Sequence, residues 1–357
     1  MRTSTISVHL RLFELTKNYG AGGRTTARTM SNGTGDWVSM KTRPSQKSIL
    51  RKALAWATEL NSKAIVKPNI LVSLTSIPRR FDTSLLEVLA TLKRQRLTCT
   101  ILINIPAKYR KWGPVQSLPA DLSNRDNVVI FAPKDDYGPA TKLLGALEYI
   151  QERPEITHII TVDDDMVIDD PYYLTYLVAF TAVIPDYAIT FSGIKLDKFP
   201  FKEGDGLIYN NRFCFVDIPA GYRCVLYPAE RLRNNKLPFE FAAKLPLGIF
   251  NDDDAYFGIL LSIMDIPLFA IPNRPCGAPI EQSKHGGGSA VTELADRERT
   301  QNEMEIFQYA TRQGYLLNPN KEVKHRLNIF ERCGLAAIYA KEWLRCASRK
   351  MRALRCA

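Results

Sequence analysis

Residues 158–170 read HIITVDDDMVIDD, and their apolar run Ile159–Val162 ends directly in the three aspartates Asp163–Asp165. A short apolar run of this kind is typical of a buried β-strand. Adjacent carboxylates repel one another and resist burial unless a cation compensates their charge. The stretch therefore predicts a strand that delivers carboxylates to one point, where they meet a metal ion or a positively charged part of a ligand.

Carboxylate oxygens are hard ligands, which suit Mg²⁺ or Mn²⁺. These ions keep several waters and commonly complete their coordination shell with substrate phosphates. A substrate that carries a diphosphate is therefore the first one to expect, with Mn²⁺ or Mg²⁺ as the cofactor. A structural calcium site or a solvated turn is the alternative interpretation of Asp163–Asp165.

The sequence on either side of this strand alternates between apolar runs and amphipathic segments. This alternation indicates an α/β domain with a largely parallel sheet flanked by helices. We expect Asp82 to cap the first helix, and Pro139 and Pro171 to lie in the first turns of later ones. The predicted strands are 69–74, 100–105, 127–131, 159–162, 187–194, 223–227 and 268–271, and the predicted helices are 82–96, 140–150, 171–184, 252–264, 291–313 and 327–354.

Two polar segments follow predicted strands of this sheet. Ser73–Arg80 comes after the first strand, and Asp163–Asp165 comes after the fourth. Open α/β sheets bind their ligands beyond the carboxyl ends of the strands. We therefore expect the two segments to share one crevice.

The chain divides into three predicted regions. Residues 1–64 form a flexible N-terminal extension with one helix at 48–60, residues 65–290 form the catalytic domain, and residues 291–357 form a helical, basic C-terminal extension. Residues 1–35 contain Glu14 as their only acid and weakly resemble an organelle transit sequence. Met30 or Met40 could equally be the true start.

The formal net charge of +11 is concentrated at the two ends of the chain. In Lys341–Ala357, six lysines and arginines face only one acid, Glu342. Such a basic amphipathic end could make a peripheral contact with anionic lipid or an acidic partner, or be a solvated helix face. No basic run is interleaved with aromatic residues in the manner of a nucleic-acid-binding protein, so nucleic acid is not an expected partner.

The seven cysteines form neither CxxC pairs nor a compact framework, and their number is odd. We interpret them as mostly reduced core residues of an intracellular protein. No apolar stretch reaches the roughly 18 residues that a spanning helix needs. The expected location is therefore cytoplasmic, with peripheral membrane contact through the basic C-terminus.

Four segments occur in a characteristic order: SLTSIPRR (73–80), DDYGPATKLLGAL (135–147), VDDD (162–165) and NDDDAYFG (251–258). In this order they resemble a GT-A type nucleotide-diphospho-sugar glycosyltransferase that contains a DxD motif and is similar to family 2. The resemblance covers about residues 68–288. It implies a Rossmann-like GT-A fold, and transfer of a sugar from a nucleotide-diphosphate donor to a hydroxyl of a glycan, a lipid-linked sugar or a protein.

The resemblance also implies roles for the two acid runs. In the family, the DxD acids bind a divalent metal that bridges the donor's phosphates, which assigns Asp163 and Asp165 to the metal and Asp164 to the donor sugar or ribose. Inverting members commonly place the catalytic base in an acidic pair at a helix start, which assigns that role to Asp253 or Asp254. The alternative for the second run is a set of acids that complement the helix dipole.

The remaining expected site residues lie on the donor side. Thr75, Ser76 and Arg79 would line the nucleotide end of the crevice, where Arg79 or Arg80 could pair with phosphate. Asp136 or Asp135 could accept from the base while Lys142 meets the donor; a capping aspartate and an ordinary helix lysine are the alternative. Lys284 is expected to bind the donor, and His285 to close over the diphosphate or to give the metal a third ligand.

Two other functions fit parts of the sequence. VDDDMV also fits the DxDx(T/V) pattern of haloacid-dehalogenase-like phosphatases, with Asp163 as nucleophile and Asp165 as acid. That nucleophile usually ends the first strand of its domain, whereas Asp163 follows three predicted strands. A non-catalytic protein that binds glycans or docks at a membrane is the third possibility, and the presence of acids in both runs argues against it.

Overall fold

The computed structural model describes residues 68–115, 117–118, 122, 126–196, 206–245, 252–278, 280–285, 305–313 and 326–356. The predicted extension 1–64 with its helix at 48–60 lies outside the described residues. Residues 291–304, the larger part of the predicted helix 291–313, also lie outside the described residues.

The strands are short, and most of them are buried. In chain order they are β1 (Ile70–Thr75), β2 (Thr100–Asn104), β3 (Lys108–Tyr109), β4 (Gly113–Pro114), β5 (Val128–Phe131), β6 (His158–Thr161), β7 (Met166–Ile168), β8 (Ala188–Thr190), β9 (Ser192–Leu196), β10 (Gly206–Asn210), β11 (Cys214–Phe215), β12 (Ile218–Pro219), β13 (Val225–Pro228), β14 (Leu268–Ala270) and β15 (Ile280–Gln282).

The helices lie between these strands and after them. In chain order they are α1 (Ser84–Lys93), α2 (Thr141–Tyr149), α3 (Tyr173–Ala179), α4 (Ala229–Leu232), α5 (Leu237–Lys244), α6 (Asp253–Ile263), α7 (residues 305–312) and α8 (Ile329–Cys356). Of the helices in these described ranges, none is both long enough and apolar enough to cross a membrane.

An eight-stranded sheet, in the order β5-β2-β1-β6-β13-β8-β14-β11, forms the centre of the described structure. β5, β2, β1 and β6 are parallel, as are β8 and β14. β13 lies between β6 and β8 and is antiparallel to both. The α/β architecture with a mixed, mostly parallel sheet is therefore confirmed.

The helices cover both faces of this sheet. Leu71 of β1 packs in the same apolar cluster as Leu143 of α2, while Val72 packs in the cluster that contains Leu85 of α1. Successive residues of a strand point to opposite faces, so a strand covered on both faces reads as a continuous apolar run. This is why β1 and β6 could be recognised from the sequence.

Some predicted boundaries are wrong. The helix expected at 171–184 is α3 (Tyr173–Ala179), so Pro171 lies before it rather than in its first turn. Asp82 does not cap α1: the turn that begins with the 3₁₀ segment Pro78–Arg80 continues to Thr83, which is the N-cap residue. The predicted strand 187–194 is broken at Phe191, because the Thr190 hydroxyl donates to the Ser192 carbonyl and bends the chain. β8 thus stays in the central sheet, while β9 joins a small sheet with β10 and β12.

Candidate functional site

The loops that follow β1 and β6 meet at the carboxyl edge of the sheet. The Ser76 hydroxyl donates a hydrogen bond of 2.5 Å to Oδ2 of Asp164, and both residues are buried. Because β1 and β6 are neighbouring parallel strands, their ends lie side by side. The segments Ser73–Arg80 and Asp163–Asp165 therefore lie against each other, and the place where they meet is called the crevice below.

Arg80 pairs with two of the three aspartates. Its Nη1 forms an ion pair with Oδ1 of Asp164, and its Nη2 lies 3.2 Å from Oδ2 of Asp165. Burial alone would lower the pKa of Arg80, but Asp164 and Asp165 raise it above its ordinary value. The guanidinium is therefore a fixed positive charge in the crevice.

The negative charges of Asp164 and Asp165 are only partly compensated by neighbouring groups. Burial raises the pKa of Asp164 to about 6, even though Arg80 and Ser76 act to lower it. Burial and the neighbouring charge of Asp163 also raise the pKa of Asp165. Further positive charge nearby would therefore stabilise the ionised form of both carboxylates.

Lys142 of α2 joins the two acid runs. Its Nζ lies 2.5 Å from Oδ1 of Asp163 and 2.8 Å from Oδ2 of Asp253, and its side chain is only 4% exposed. Both contacts are ion pairs, because a lysine ammonium lies within 4 Å of an aspartate oxygen in each. Burial alone would lower the pKa of Lys142, but the neighbouring aspartates raise it well above its ordinary value.

The second acid run starts α6, and each of its members has a different environment. Asp252 caps the helix by accepting from the Ala255 amide at 2.9 Å. Oδ1 of Asp254 accepts from the Gly221 amide at 3.0 Å. A Cβ at position 221 would collide with this carboxylate, so the close approach requires glycine.

The pKa values of the two acids next to Lys142 also differ. Burial raises the pKa of Asp253, although Lys142 acts to lower it. Burial and the adjacent charge of Asp253 raise the pKa of Asp254 well above its ordinary value. Asp253, paired with the lysine, is therefore the better candidate for a carboxylate that stays ionised.

Among the described residues of this crevice, carboxylates outnumber cations by five to two, which leaves three uncompensated negative charges when all are ionised. The acids are Asp163, Asp164, Asp165, Asp253 and Asp254, and the cations are Arg80 and Lys142. Among the described residues, no three metal-ligating side chains form a ready-made cluster. Mg²⁺ and similar ions need only one or two carboxylates when substrate phosphates supply the rest, so the donor set fits such an ion in charge and in ligand type.

Other predicted residues lie around this centre. The Thr75 hydroxyl donates to the Asn104 carbonyl at 2.9 Å, and Arg79 is exposed. Lys284 and His285 are also exposed, in a segment that the Ser283 amide ties to the Asp165 carbonyl at 2.6 Å. This segment therefore lies beside the acidic turn, although the side chains of Lys284 and His285 are exposed to solvent.

Asp136 is buried and holds backbone in place. Its Oδ2 accepts from the Arg110 amide at 2.8 Å, and its Oδ1 accepts from the Gly138 amide at 2.9 Å. Asp135 is more exposed and pairs with the Arg110 guanidinium at 3.0 Å. In this arrangement Asp136 shapes the loop that leads to Lys142.

Sequence reasoning missed one residue that touches the crevice. The Tyr109 hydroxyl donates to the Ser76 carbonyl at 2.5 Å. Tyr109 belongs to the small hairpin of β3 and β4, whose two-residue strands give no periodic pattern. An aromatic and basic run, KYRKW at 108–112, was the only signal.

Neither a protein-family model nor any curated protein matches the sequence. Among solved structures, the chain aligns with the mannosyltransferase PcManGT from Pyrobaculum calidifontis, in complex with GDP-Man and Mn²⁺, at 12% identity and a TM-score of 0.37, over 83% of this chain and 94% of that chain.

The chain also aligns with two structures of 4-diphosphocytidyl-2C-methyl-D-erythritol synthase. The one from Anaerococcus prevotii is 12% identical with a TM-score of 0.34, over 69% of this chain and 98% of that chain. The other is 11% identical with a TM-score of 0.35, over 66% of this chain and 100% of that chain. Likenesses this weak carry no argument about activity.

Proposed function

We propose that the protein is a metal-dependent glycosyltransferase, which moves a sugar from a nucleotide-diphosphate donor to a hydroxyl of a glycan, a lipid-linked sugar or a protein. The observation that carries this proposal is the contact of Lys142 with both Asp163 and Asp253. It brings a strand-end acid cluster and a helix-start acid pair into one crevice. Donor binding and proton transfer both need carboxylates, and here the two sets are adjacent.

In the proposed reaction, Asp253 takes the proton from the acceptor hydroxyl. The hydroxyl oxygen forms a bond to the anomeric carbon while the bond from that carbon to the donor's phosphate oxygen breaks, with inversion. The electron pair of the broken bond leaves with the nucleoside diphosphate. Mn²⁺ or Mg²⁺ held by Asp163 and Asp165 would neutralise the charge on that leaving group.

The protein's own groups have supporting roles in this proposal. Asp254, held by the Gly221 amide, would orient the acceptor, since its raised pKa favours the protonated form, which cannot take up the acceptor's proton. Arg80 and Ser76 would fix Asp164 beside the donor sugar or ribose. The remaining proposed donor contacts are Thr75, Arg79, Asp136, Lys142 and Lys284, with His285 as a further metal ligand.

A thermal-shift screen tests this function. UDP-, GDP- and dTDP-sugars are added to the full-length chain with and without Mn²⁺, because a ligand that binds the folded state stabilises it. We expect a rise in Tm with one nucleotide class, and its loss when the metal is withheld. The same donor should be hydrolysed slowly in the presence of Mn²⁺, and Asp165→Ala should abolish that hydrolysis.

Phosphatase chemistry at Asp163 is the outcome that would overturn the proposal. Hydrolysis of simple phosphomonoesters with a trappable aspartyl-phosphate on Asp163, without any effect of nucleotide sugars on Tm, would identify a phosphatase. Nucleotide-sugar binding without hydrolysis or transfer to any acceptor would identify a binding protein.

We also propose that α8 makes a peripheral contact with an anionic membrane surface. Lys341, Leu344 and Arg345 are exposed at the i, i+3 and i+4 positions of one helix face, and Leu344 is 61% exposed. A face that combines exposed cations with an exposed apolar side chain suits anionic lipid headgroups. Glu342, the acid of this segment, is buried, and it pairs with Arg274 at 2.8 Å and with Arg345 at 3.4 Å.

A further inference from the structure

The hairpin of β3 and β4 stands between two segments of the proposed donor site. It follows β2, so it lies at the same carboxyl edge of the sheet as Ser76. The Tyr109 hydroxyl donates to the Ser76 carbonyl at 2.5 Å, and the Arg110 amide donates to Asp136 at 2.8 Å. Burial and the nearby charges of Asp136 and Asp164 raise the pKa of Tyr109. The hairpin is therefore fixed on both sides and close to the acidic turn.

Trp112 lies at the tip of this hairpin and is 37% exposed. Its ring meets the Tyr109 ring edge to face, with 5.7 Å between the centroids, and the Lys111 ammonium lies 5.6 Å from the centre of the indole. The next residue, Gly113, has a φ of +76°, which lets the chain turn back directly after the indole. A large aromatic ring is thus held in place at a position where it contributes little to the core.

An anchored aromatic ring with positive charge beside it fits a flat, anionic ligand. A nucleobase stacks well on such a ring, because every base has a π-face, and a lysine nearby complements the phosphates of the same molecule. The chain of contacts runs from Asp164 through Ser76 and Tyr109 to Trp112. These contacts connect the indole to the acidic turn, where the proposed function places the donor's diphosphate.

We propose that Trp112 stacks on the base of the nucleotide donor, and that the hairpin Lys108–Pro114 forms the base-binding end of the crevice. This inference rests on the proposed function, because it assumes that the diphosphate lies at the acidic turn. It adds a residue that selects for a nucleoside diphosphate over inorganic diphosphate.

Titration calorimetry of the full-length chain tests the inference. The ligands are UDP, GDP and inorganic pyrophosphate, each with Mn²⁺. We expect Trp112→Ala to weaken the binding of the preferred nucleoside diphosphate by roughly five- to 150-fold, the range that base stacking contributes. Trp112→Phe should retain most of the affinity, and binding of pyrophosphate should be unchanged in both variants. Phe330→Ala, which removes another exposed aromatic side chain, is the matched control and should bind like the wild type.

Fluorescence supplies a second readout. A stacked base quenches indole emission, so the nucleotide should quench the wild type and Trp343→Phe, but not Trp112→Ala. Unchanged nucleotide affinity in Trp112→Ala would overturn the inference and leave the proposed function standing. Equal loss of pyrophosphate binding would also overturn it, because the hairpin would then support the site without touching the base. If the wild type binds no nucleotide at all, the proposed function itself fails.

Discussion

Arg80 and Lys142 share the acids of the crevice between them. Arg80 contacts Asp164 and Asp165, while Lys142 contacts Asp163 and Asp253. Each cation is nearly buried, so each interacts with its carboxylates through a medium of low dielectric constant. A substitution at either cation therefore leaves charged groups without compensation inside the protein.

Lys142→Met should destabilise the protein strongly. It replaces the buried ammonium by an apolar side chain of similar length and leaves Asp163 and Asp253 facing each other. Removing one partner of a buried ion pair typically costs about 3–5 kcal/mol. We expect a loss of this size in the free energy of unfolding, measured by urea denaturation at neutral pH.

Lys244→Met is the matched control for this prediction. Lys244 is an exposed lysine at the end of α5, and its loss should change the free energy of unfolding by less than about 0.5 kcal/mol. Equal stability of the Lys142 and Lys244 variants would show that the two acids do not depend on the buried lysine.

His158 should make stability depend on pH. Burial lowers its pKa below the ordinary 6.5, although the Pro185 carbonyl and Asp186 act in the opposite direction. Below about pH 6.5 the unfolded chain takes up a proton that the folded chain refuses, so folding stability falls as the pH falls through this range. Above about pH 6.5 His158 is neutral in both states, and its contribution to folding stability is fully present.

His158→Gln should remove this slope. Urea denaturation at about pH 7.5 and about pH 5.5 measures it, and a single histidine contributes at most about 1.4 kcal/mol per pH unit. We expect the wild type to lose more stability than the variant on acidification. Parallel losses in both proteins would show that His158 is protonated equally in the folded and unfolded chains.

For single residues, the sequence predicts the acids of the site better than the cations that pair with them. Asp163–Asp165 and Asp253 stand out because adjacent acids flank an apolar strand and a helix start. Arg79 and Arg80 are indistinguishable in the sequence, yet Arg80 is buried on the aspartates and Arg79 is exposed. Which arginine turns inward depends on the turn Pro78–Arg80, and hence on tertiary structure.

Among the elements, α8 is held to the sheet domain by a buried arginine. Arg274, which follows β14, donates to Asp170 at 2.6 Å and to Glu342 of α8 at 2.8 Å. Asp170 also accepts from the Tyr172 amide at 3.1 Å, just before α3. One guanidinium thus connects three segments that are far apart in the chain.

Arg274→Met should loosen α8. The change removes the buried cation that pairs with both Asp170 and Glu342, and the expected cost is about 3–5 kcal/mol. Hydrogen exchange measures it locally: amides of α8 should exchange faster, while those of β1 and β6 should keep their protection unless the whole fold is lost. Arg231→Met, at an exposed arginine, is the control. Unchanged exchange in α8 would contradict the proposed attachment.

Elements with a strong apolar pattern were predicted to within a few residues. β1, β2, β5, β6, α2, α6 and α8 belong to this group. The antiparallel direction of β13 could not be predicted, because a buried strand has the same apolar pattern in either direction. β3, β4, β11 and β12 were missed because two residues carry no periodicity.

For the whole molecule, the basic charge should govern binding to membranes. We expect the protein to sediment with vesicles that contain phosphatidylserine and to ignore vesicles of phosphatidylcholine alone. Each Lys or Arg at an anionic surface contributes roughly 1 kcal/mol, and salt screens this attraction. Binding should therefore weaken as the NaCl concentration is raised.

The double variant Lys341→Glu and Leu344→Ala tests whether α8 is responsible. It should reduce sedimentation with anionic vesicles, while Lys244→Glu, a charge reversal on α5, should have little effect. Equal losses in both variants would attribute the binding to the general charge of +11 rather than to this helix face.

The placement of β13 has a consequence for synthesis of the chain. β13 fills the position next to β6, but it is made more than sixty residues later, as residues 225 and 161 are partners across the ladder. Until it emerges from the ribosome, the acidic strand is the open edge of a half-sheet. Open edges pair readily with other chains, so a nascent chain paused in this interval is the form most prone to aggregate.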